Sequence, residues 1–216
     1  MKMVIDQNTE TILKLQVKEV RNNLKRHQID SYYCDTKDEL MSLLDELIKD
    51  NSVVTHGGSE TLKETGVIDY LLNRNIEFYD RDKKDEGKDY KQLCLQKAFI
   101  ADAYFMSSSA ITLNGEIYNV DGNGNRLAAM MYGPKEVFII VGTNKIVNDL
   151  EEAQKRMKRI SAPMNCVRLN RKTPCAISGT CKDCISKDRV CSHTVITNWQ
   201  TTNRIKVIFI LGNFGY

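Results

Sequence analysis

Nowhere in this chain do roughly 18 apolar residues follow one another, the length a membrane-spanning helix requires. The opening MKMVIDQNTE is polar and lacks the apolar run of a secretory signal, so a cytoplasmic protein with no membrane partner is the expectation. No internal repeat or low-complexity tract occurs. Neither a Walker A loop nor GxGxxG is present, which removes two phosphate-binding fingerprints. No Ser-His-Asp spacing can be read, and the three histidines, His27, His56 and His193, form no paired ligand motif. Aromatic residues are 7% of the chain and no stacking or groove-reading motif is visible, which weighs against nucleic acid as a partner.

What is there suffices for a folded body. With 216 residues and 42% hydrophobic content, the chain can bury one sizeable core, so a single domain over 1–216 with a small embellishment is expected. The net charge of +3 conceals an asymmetry. Residues 1–150 carry 19 Lys and Arg against 24 Asp and Glu, whereas residues 151–216 carry 12 against 4. So basic a tail faces an anionic ligand, nucleic acid or the acidic body of its own protein.

Along the chain, Leu13, Val17, Val20 and Leu24 recur at helical spacing, and Leu40, Leu43, Leu44 and Leu47 mark a second helix capped by Asp35 or Thr36. IDSYYC, SVVTHGG, IEFYD, AYFMS and EVFIIVG read as strands, the last apolar enough to be buried on both faces. RDKKDEGKDYKQ (81–92) reads as a solvated connection into a helix LCLQKAFIA. Asn114-Gly115 between two apolar runs predicts a hairpin with a two-residue type I′ turn. RLAAMMYG reads as a helix stopped by Gly133-Pro134, and DLEEAQKRMKRI as a helix with Leu150, Ala153, Met157 and Ile160 inward. HTVITNW and KVIFILG supply two last strands. Such alternation predicts an α/β domain with a mainly parallel, helix-covered sheet and one inserted hairpin. Ligands of such sheets sit beyond the carboxyl ends of strands, which directs attention to the glycine-bearing turns.

Two of these turns stand out. In THGGSETLKETG, Gly57 and Gly58 permit close backbone approach, Ser59 offers a hydroxyl, and a helix N-terminus follows. The stretch is either an anion-binding loop or a plain strand-to-helix turn capped by Ser59. His56 is either an acid/base group or a polar neighbour. In NVDGNGNR, Asp121 can accept from a ligand hydroxyl or cap the N–H groups after it, Gly122 and Gly124 allow a tight bend, and Arg126 can grip a phosphate at the helix start, with Asn123 and Asn125 between. Asn-Gly-Asn is equally what any left-handed turn would use.

Cys34, Cys94 and Cys166 are isolated and read as small buried hydrophobes. Cys175, Cys181, Cys184 and Cys191 instead follow a Cys-x5-Cys-x2-Cys-x6-Cys spacing in a segment, 174–192, with few apolar residues to hold it folded. Four thiolates could staple it around zinc or an iron–sulfur cluster, and the spacing does not choose between them. Paired disulfides are the third option, disfavoured by a cytoplasmic setting. The basic run Lys155, Arg156, Lys158 and Arg159 reads as a solvated helix face, and Arg168, Arg171 and Lys172 add basic character beside the cysteines.

Taken together, HGGSETLKETGVID, SSSAITLNGEIYNVDGNGNRLAAMMYGPKEVFIIVGTNKIV and TPCAISGTCKDC resemble the LUD-domain family of lactate-utilisation proteins, over almost the whole chain. The resemblance implies a three-layer α/β/α fold similar to the sugar-phosphate isomerase and CoA-transferase-like superfamily. It implies a small, often phosphorylated ligand over the two glycine loops, with Gly57, Gly58 and Ser59 in the first and Asp121, Gly122, Asn123, Gly124, Asn125 and Arg126 in the second. Some family members take part in oxidising lactate to pyruvate beside iron–sulfur partners, which the resemblance offers as a role for the system and not as a catalytic assignment. The superfamily's isomerase acid/base residues are not recognisable, so Asp121 and His56 are only candidates for catalysis. The competing expectation is a regulatory module whose basic C-terminal segment, with Trp199, binds nucleic acid or a protein.

Overall fold

The computed structural model describes residues 6–83 and 86–216; residues 1–5, within the polar opening, and 84–85, within the charged connection, lie outside them. The first helix, α1 (Gln7–Arg26), is capped by Asp6 and buries Val17, Val20 and Leu24. After β1 (Asp30–Cys34), helix α2 (Lys37–Leu47) starts at Thr36, whose hydroxyl accepts from Glu39 N, while Glu39 turns back to accept from Asp35 N. This reciprocal arrangement settles the cap on Thr36 rather than Asp35. Strand β2 (Val53–His56), short helices α3 (Glu60–Glu64) and α4 (Val67–Leu72), and β3 (Glu77–Tyr79) follow. Helix α5 (Gly87–Lys97) begins inside the segment expected to be a solvated connection, because charged residues with helical propensity can form an exposed helix that buries little beyond Cys94.

Next come β4 (Ala103–Met106), the hairpin β5 (Ala110–Thr112) and β6 (Ile117–Asp121), α6 (Asn125–Met131), β7 (Glu136–Gly142) and β8 (Ile146–Val147). Helix α7 (Leu150–Arg156) passes through a π-helical stretch, Met157–Ser161, into α8 (Ala162–Arg168). The short α9 (Pro174–Ser178), β9 (His193–Thr197) and β10 (Ile205–Ile210) complete the chain.

Six strands form one parallel sheet in the order β1-β10-β7-β4-β2-β3. Because side chains alternate along a strand, Val137, Ile139 and Val141 of β7 enter a core under α1 and α6, while Phe138 and Ile140 enter another under α2, α3 and α4. Tyr104 and Met106 of β4 divide from Ala103 and Phe105 in the same way. Helices therefore cover both faces, and the expected three-layer α/β/α arrangement is observed. Each fully buried branched side chain contributes roughly 1.5–3 kcal/mol, so β7, buried from Val137 onward, is a major stabilising element. Among the described residues no helix is long and apolar enough to cross a membrane.

The inserted hairpin is larger than the sequence suggests. It grows into a second sheet, β8-β5-β6-β9, in which β8 runs parallel to β5 and β9 antiparallel to β6. Its turn is not type I′. Asn114 keeps negative φ, Gly115 alone is left-handed at φ 86°, and Gly115 N donates to Thr112 O, giving a three-residue loop that ends in a glycine bulge. The loop docks on α1, where Asn23 Nδ2 donates to Leu113 O at 2.9 Å.

Candidate functional site

The carboxyl ends of β2, β4 and β7 lie side by side in the sheet, and each runs into a polar turn. Gly58, Ser59 and Thr61 follow β2, Ser107, Ser108 and Ser109 follow β4, and Lys145 follows β7; with residues 120–123 at the end of the hairpin and Asn125 and Arg126 at the start of α6 they border a cavity of about 330 Å³. This is the place where parallel α/β sheets collect ligands. Seven lysines and arginines line it against three side-chain carboxylates, Glu60, Asp82 and Asp121.

Of the residues singled out in the sequence, Gly58, Ser59, Asp121, Gly122, Asn123, Asn125 and Arg126 border this cavity, whereas His56, Gly57 and Gly124 do not. Gly57 makes room for its neighbours: a Cβ there would lie 2.6 Å from Tyr104 Oη and 2.9 Å from Arg126 Cγ. Gly124 supplies a left-handed turn at φ 78°. Gly122 allows the cysteine segment to approach, since a Cβ would lie 3.2 Å from Val190 Cα. His56 is buried beside the cavity with Nδ1 3.1 Å from Gly57 O and Nε2 2.9 Å from Asp80, whose carboxyl that hydrogen bond holds below its usual range. The imidazole is thus committed to joining β2 and the end of β3.

Arg126 and Asp121 are also largely committed to the protein. Asp121 Oδ1 accepts from Asn123 N and Gly124 N at 3.1 and 3.3 Å, and Oδ2 faces Arg126 Nε at 3.4 Å. Arg126 donates to Ser107 O, Asn119 Oδ1 and Val120 O. Its guanidinium therefore ties the hairpin to the turn after β4. Ser59 caps α3 through Leu62 N at 3.4 Å. With α3 and α6 spanning five and seven residues, their dipoles are minor next to the side-chain cations.

Among the cavity residues with no functional role in the sequence reading are Arg81, Arg168 and Lys145. Arg81 falls in the charged connection and Arg168 in a region read only as basic. Lys145 ends GTNK beyond β7, and position after the carboxyl end of a buried strand was the available signal. The buried side-chain nitrogens without a hydrogen-bond partner, among the described residues, are the Nε atoms of Arg81, Arg168 and Arg189, three residues that border this cavity; Arg81 Nε lies 3.9 Å from Asp82 Oδ1.

Lys145 is 2% exposed, and Nζ lies 2.7 Å from Thr61 Oγ1 and 3.0 Å from Ser107 Oγ. Burial first, then repulsion from Arg156 and Arg126, lowers its pKa to about 7; the attraction of Glu64 opposes this without overcoming it. Arg156, expected on a solvated face, is buried, donating to Asn144 O, Ser109 O and Ser161 Oγ. Ser161 is five positions on, the separation a π-helical turn brings together. The rest of the basic tail is partly neutralised: Lys155 pairs with Glu151, Lys158 with Asp183 and Arg168 with Glu60.

A second cavity of about 220 Å³ is bordered by Cys175, Cys181, Cys184 and Cys191, and by Cys166, which sequence spacing had set apart. Its thiols are free. Arg189 Nη2 donates to Cys191 Sγ at 3.4 Å, and Asp183 N donates to Cys181 Sγ at 3.4 Å. Among the described residues no three His, Cys, Asp or Glu side chains are gathered as around one ion. Met157, Ala162 and Arg189 border both cavities.

Comparison with known proteins agrees with the architecture. The crystal structure of a DUF162 family protein from Deinococcus radiodurans is similar over 92% of this chain and 98% of that one, with TM-score 0.55 and 12% identity, a likeness of fold alone. The crystal structure of eIF2B delta from Chaetomium thermophilum aligns over 55% of this chain and 50% of its own, at 17% identity and TM-score 0.34. No curated protein matches the chain. The LUD domain model matches residues 17–210, nearly the whole of the fold described above, and the chain belongs to the LUD domain family.

Proposed function

We propose that this chain is a metabolic protein of the lactate-utilisation type that binds a small carboxylate or phosphate compound in the cavity beyond β2, β4 and β7. The observation that carries this reading is the excess of cations around one cavity, seven lysines and arginines against three side-chain carboxylates, with the Nε atoms of Arg81, Arg168 and Arg189 lacking a hydrogen-bond partner. A buried donor without a partner costs roughly 1–3 kcal/mol, and an anion's oxygens would relieve that cost at several donors together. Gly58, Ser59, Gly122, Asn123 and Asn125 border the same space. Asp121 and Arg126 are assigned to shaping it.

Linkage supplies the test. An anion that binds only the folded state raises the melting temperature in proportion to the logarithm of its concentration above Kd. Phosphate, lactate and pyruvate are compared with chloride at matched ionic strength. A rise specific to one of them supports the reading, and equal behaviour of all four salts contradicts it.

Cys175, Cys181, Cys184 and Cys191 are proposed to hold an iron–sulfur cluster rather than a single zinc ion. One zinc draws its sulfurs to about 2.3 Å, whereas these thiols border a cavity of about 220 Å³. Such a cluster would supply one-electron transfer beside the anion cavity. Visible absorbance and iron content in anaerobically purified protein, lost in Cys181→Ser and Cys184→Ser, are expected; zinc or no metal would exclude it.

A further inference from the structure

Lys145 is buried, with its amine held between the hydroxyls of Thr61 and Ser107. Thr61 Oγ1 donates its own proton to Phe214 O at 3.1 Å, and Ser107 Oγ donates to Ser108 O at 3.5 Å. Thr61 Oγ1 can therefore only accept from Nζ, and Ser107 Oγ, whose contact with Ser108 O is long, accepts from Nζ at 3.0 Å. A neutral amine has two N–H groups and one lone pair; with both N–H groups given to these hydroxyls, the lone pair remains. Arg126 and Arg156 clamp the turn after β4 by donating to Ser107 O and Ser109 O, which fixes Ser107 Oγ under the amine. Those guanidiniums also disfavour the ammonium form, as burial does.

We propose that Lys145 forms an imine with a carbonyl compound bearing a carboxylate or phosphate, the anionic group held by the cavity's arginines. The inference rests on the anion-binding reading and deepens it by naming the reacting group. Nζ attacks the carbonyl carbon as the C=O π bond opens. One amine proton passes to the oxygen, giving a carbinolamine, and the second leaves with the hydroxyl as water while C=N forms. Amine plus carbonyl becomes imine plus water, with no oxidant or reductant needed. Protonated on nitrogen, the imine withdraws electrons from the adjacent carbon.

The whole protein is incubated with pyruvate in one arm and glyceraldehyde 3-phosphate in the other, each with cyanoborohydride to trap the imine, and adducts are mapped by peptide mass spectrometry. Binding of each probe is measured separately by calorimetry without reductant. Expected is labelling of Lys145 about tenfold or more faster than of the exposed Lys135 and Lys155. That rate should rise with pH to half its maximum near 7 and fall when excess inorganic phosphate competes. The arm that labels identifies whether carboxylate or phosphate is the anionic handle. Lys145→Arg should lose the adduct; phosphate protection of the unaltered protein gives the same information if that variant does not fold. If a probe binds but Lys145 is labelled no faster than Lys135, the imine proposal fails and the anion reading stands. If neither probe binds, both fail.

Discussion

Lys145 sits where an ammonium is costly, and its titration couples to stability in a definite direction. Its folded pKa of about 7 lies below the ordinary lysine value of about 10.4. Between those values the unfolded chain binds the extra proton, so stability rises with pH across that window. Below about pH 7 the full penalty is present. Lys145→Met should therefore raise the melting temperature by several degrees near pH 6 in thermal scans, with the gain shrinking toward pH 10. A gain independent of pH would show that the lysine is not titrating as described. Gly57 makes a second residue-scale case, because an added Cβ meets Tyr104 Oη and the Arg126 stem. Gly57→Ala should cost about 1–3 kcal/mol in urea unfolding, and a silent substitution would mean that the two loops are not tightly packed.

Single elements were legible where pattern decides them, and less so where a contact distant in sequence does. EVFIIVG reads as a strand buried on both faces, and β7 is one, because continuous apolar residues have nowhere else to go. Asn114-Gly115 reads as a hairpin turn, but its type depends on α1. A Cβ on Gly115 would lie 3.0 Å from Leu24 N and 3.1 Å from Asn23 C, contacts no local dipeptide rule contains. Gly115→Ala should therefore destabilise by about 1–3 kcal/mol, combining the left-handed backbone with the clash against α1, as measured by denaturant midpoint. In the basic run only Arg156 departs from a solvated face: it is buried and donates to Ser161 Oγ at the end of the π-helical stretch, a contact that nothing in the spacing announces, while Lys155 and Arg159 stay exposed.

Across the whole molecule, sequence located the neighbourhood of the site better than its working groups. Gly58, Ser59 and the Asp121–Arg126 loop do meet at one cavity, since a parallel sheet gathers the ends of β2, β4 and β7. Arg81, Lys145 and Arg168 join them only through folding: a linear reading assigns Arg81 to a connection and Arg168 to a basic tail, and gives Lys145 no role. Cys166 likewise reaches the other four cysteines by the packing of α8 beside their segment. The excess of positive charge around the first cavity, and the anion it would hold, is the central claim, and direct titration tests it. Phosphate or pyruvate titrated calorimetrically into the protein at low salt should bind at a single site, and Arg81→Gln and Arg168→Gln should each weaken binding about tenfold or more while the fold persists. No binding heat with either anion, or affinity unchanged in both variants, would contradict the account.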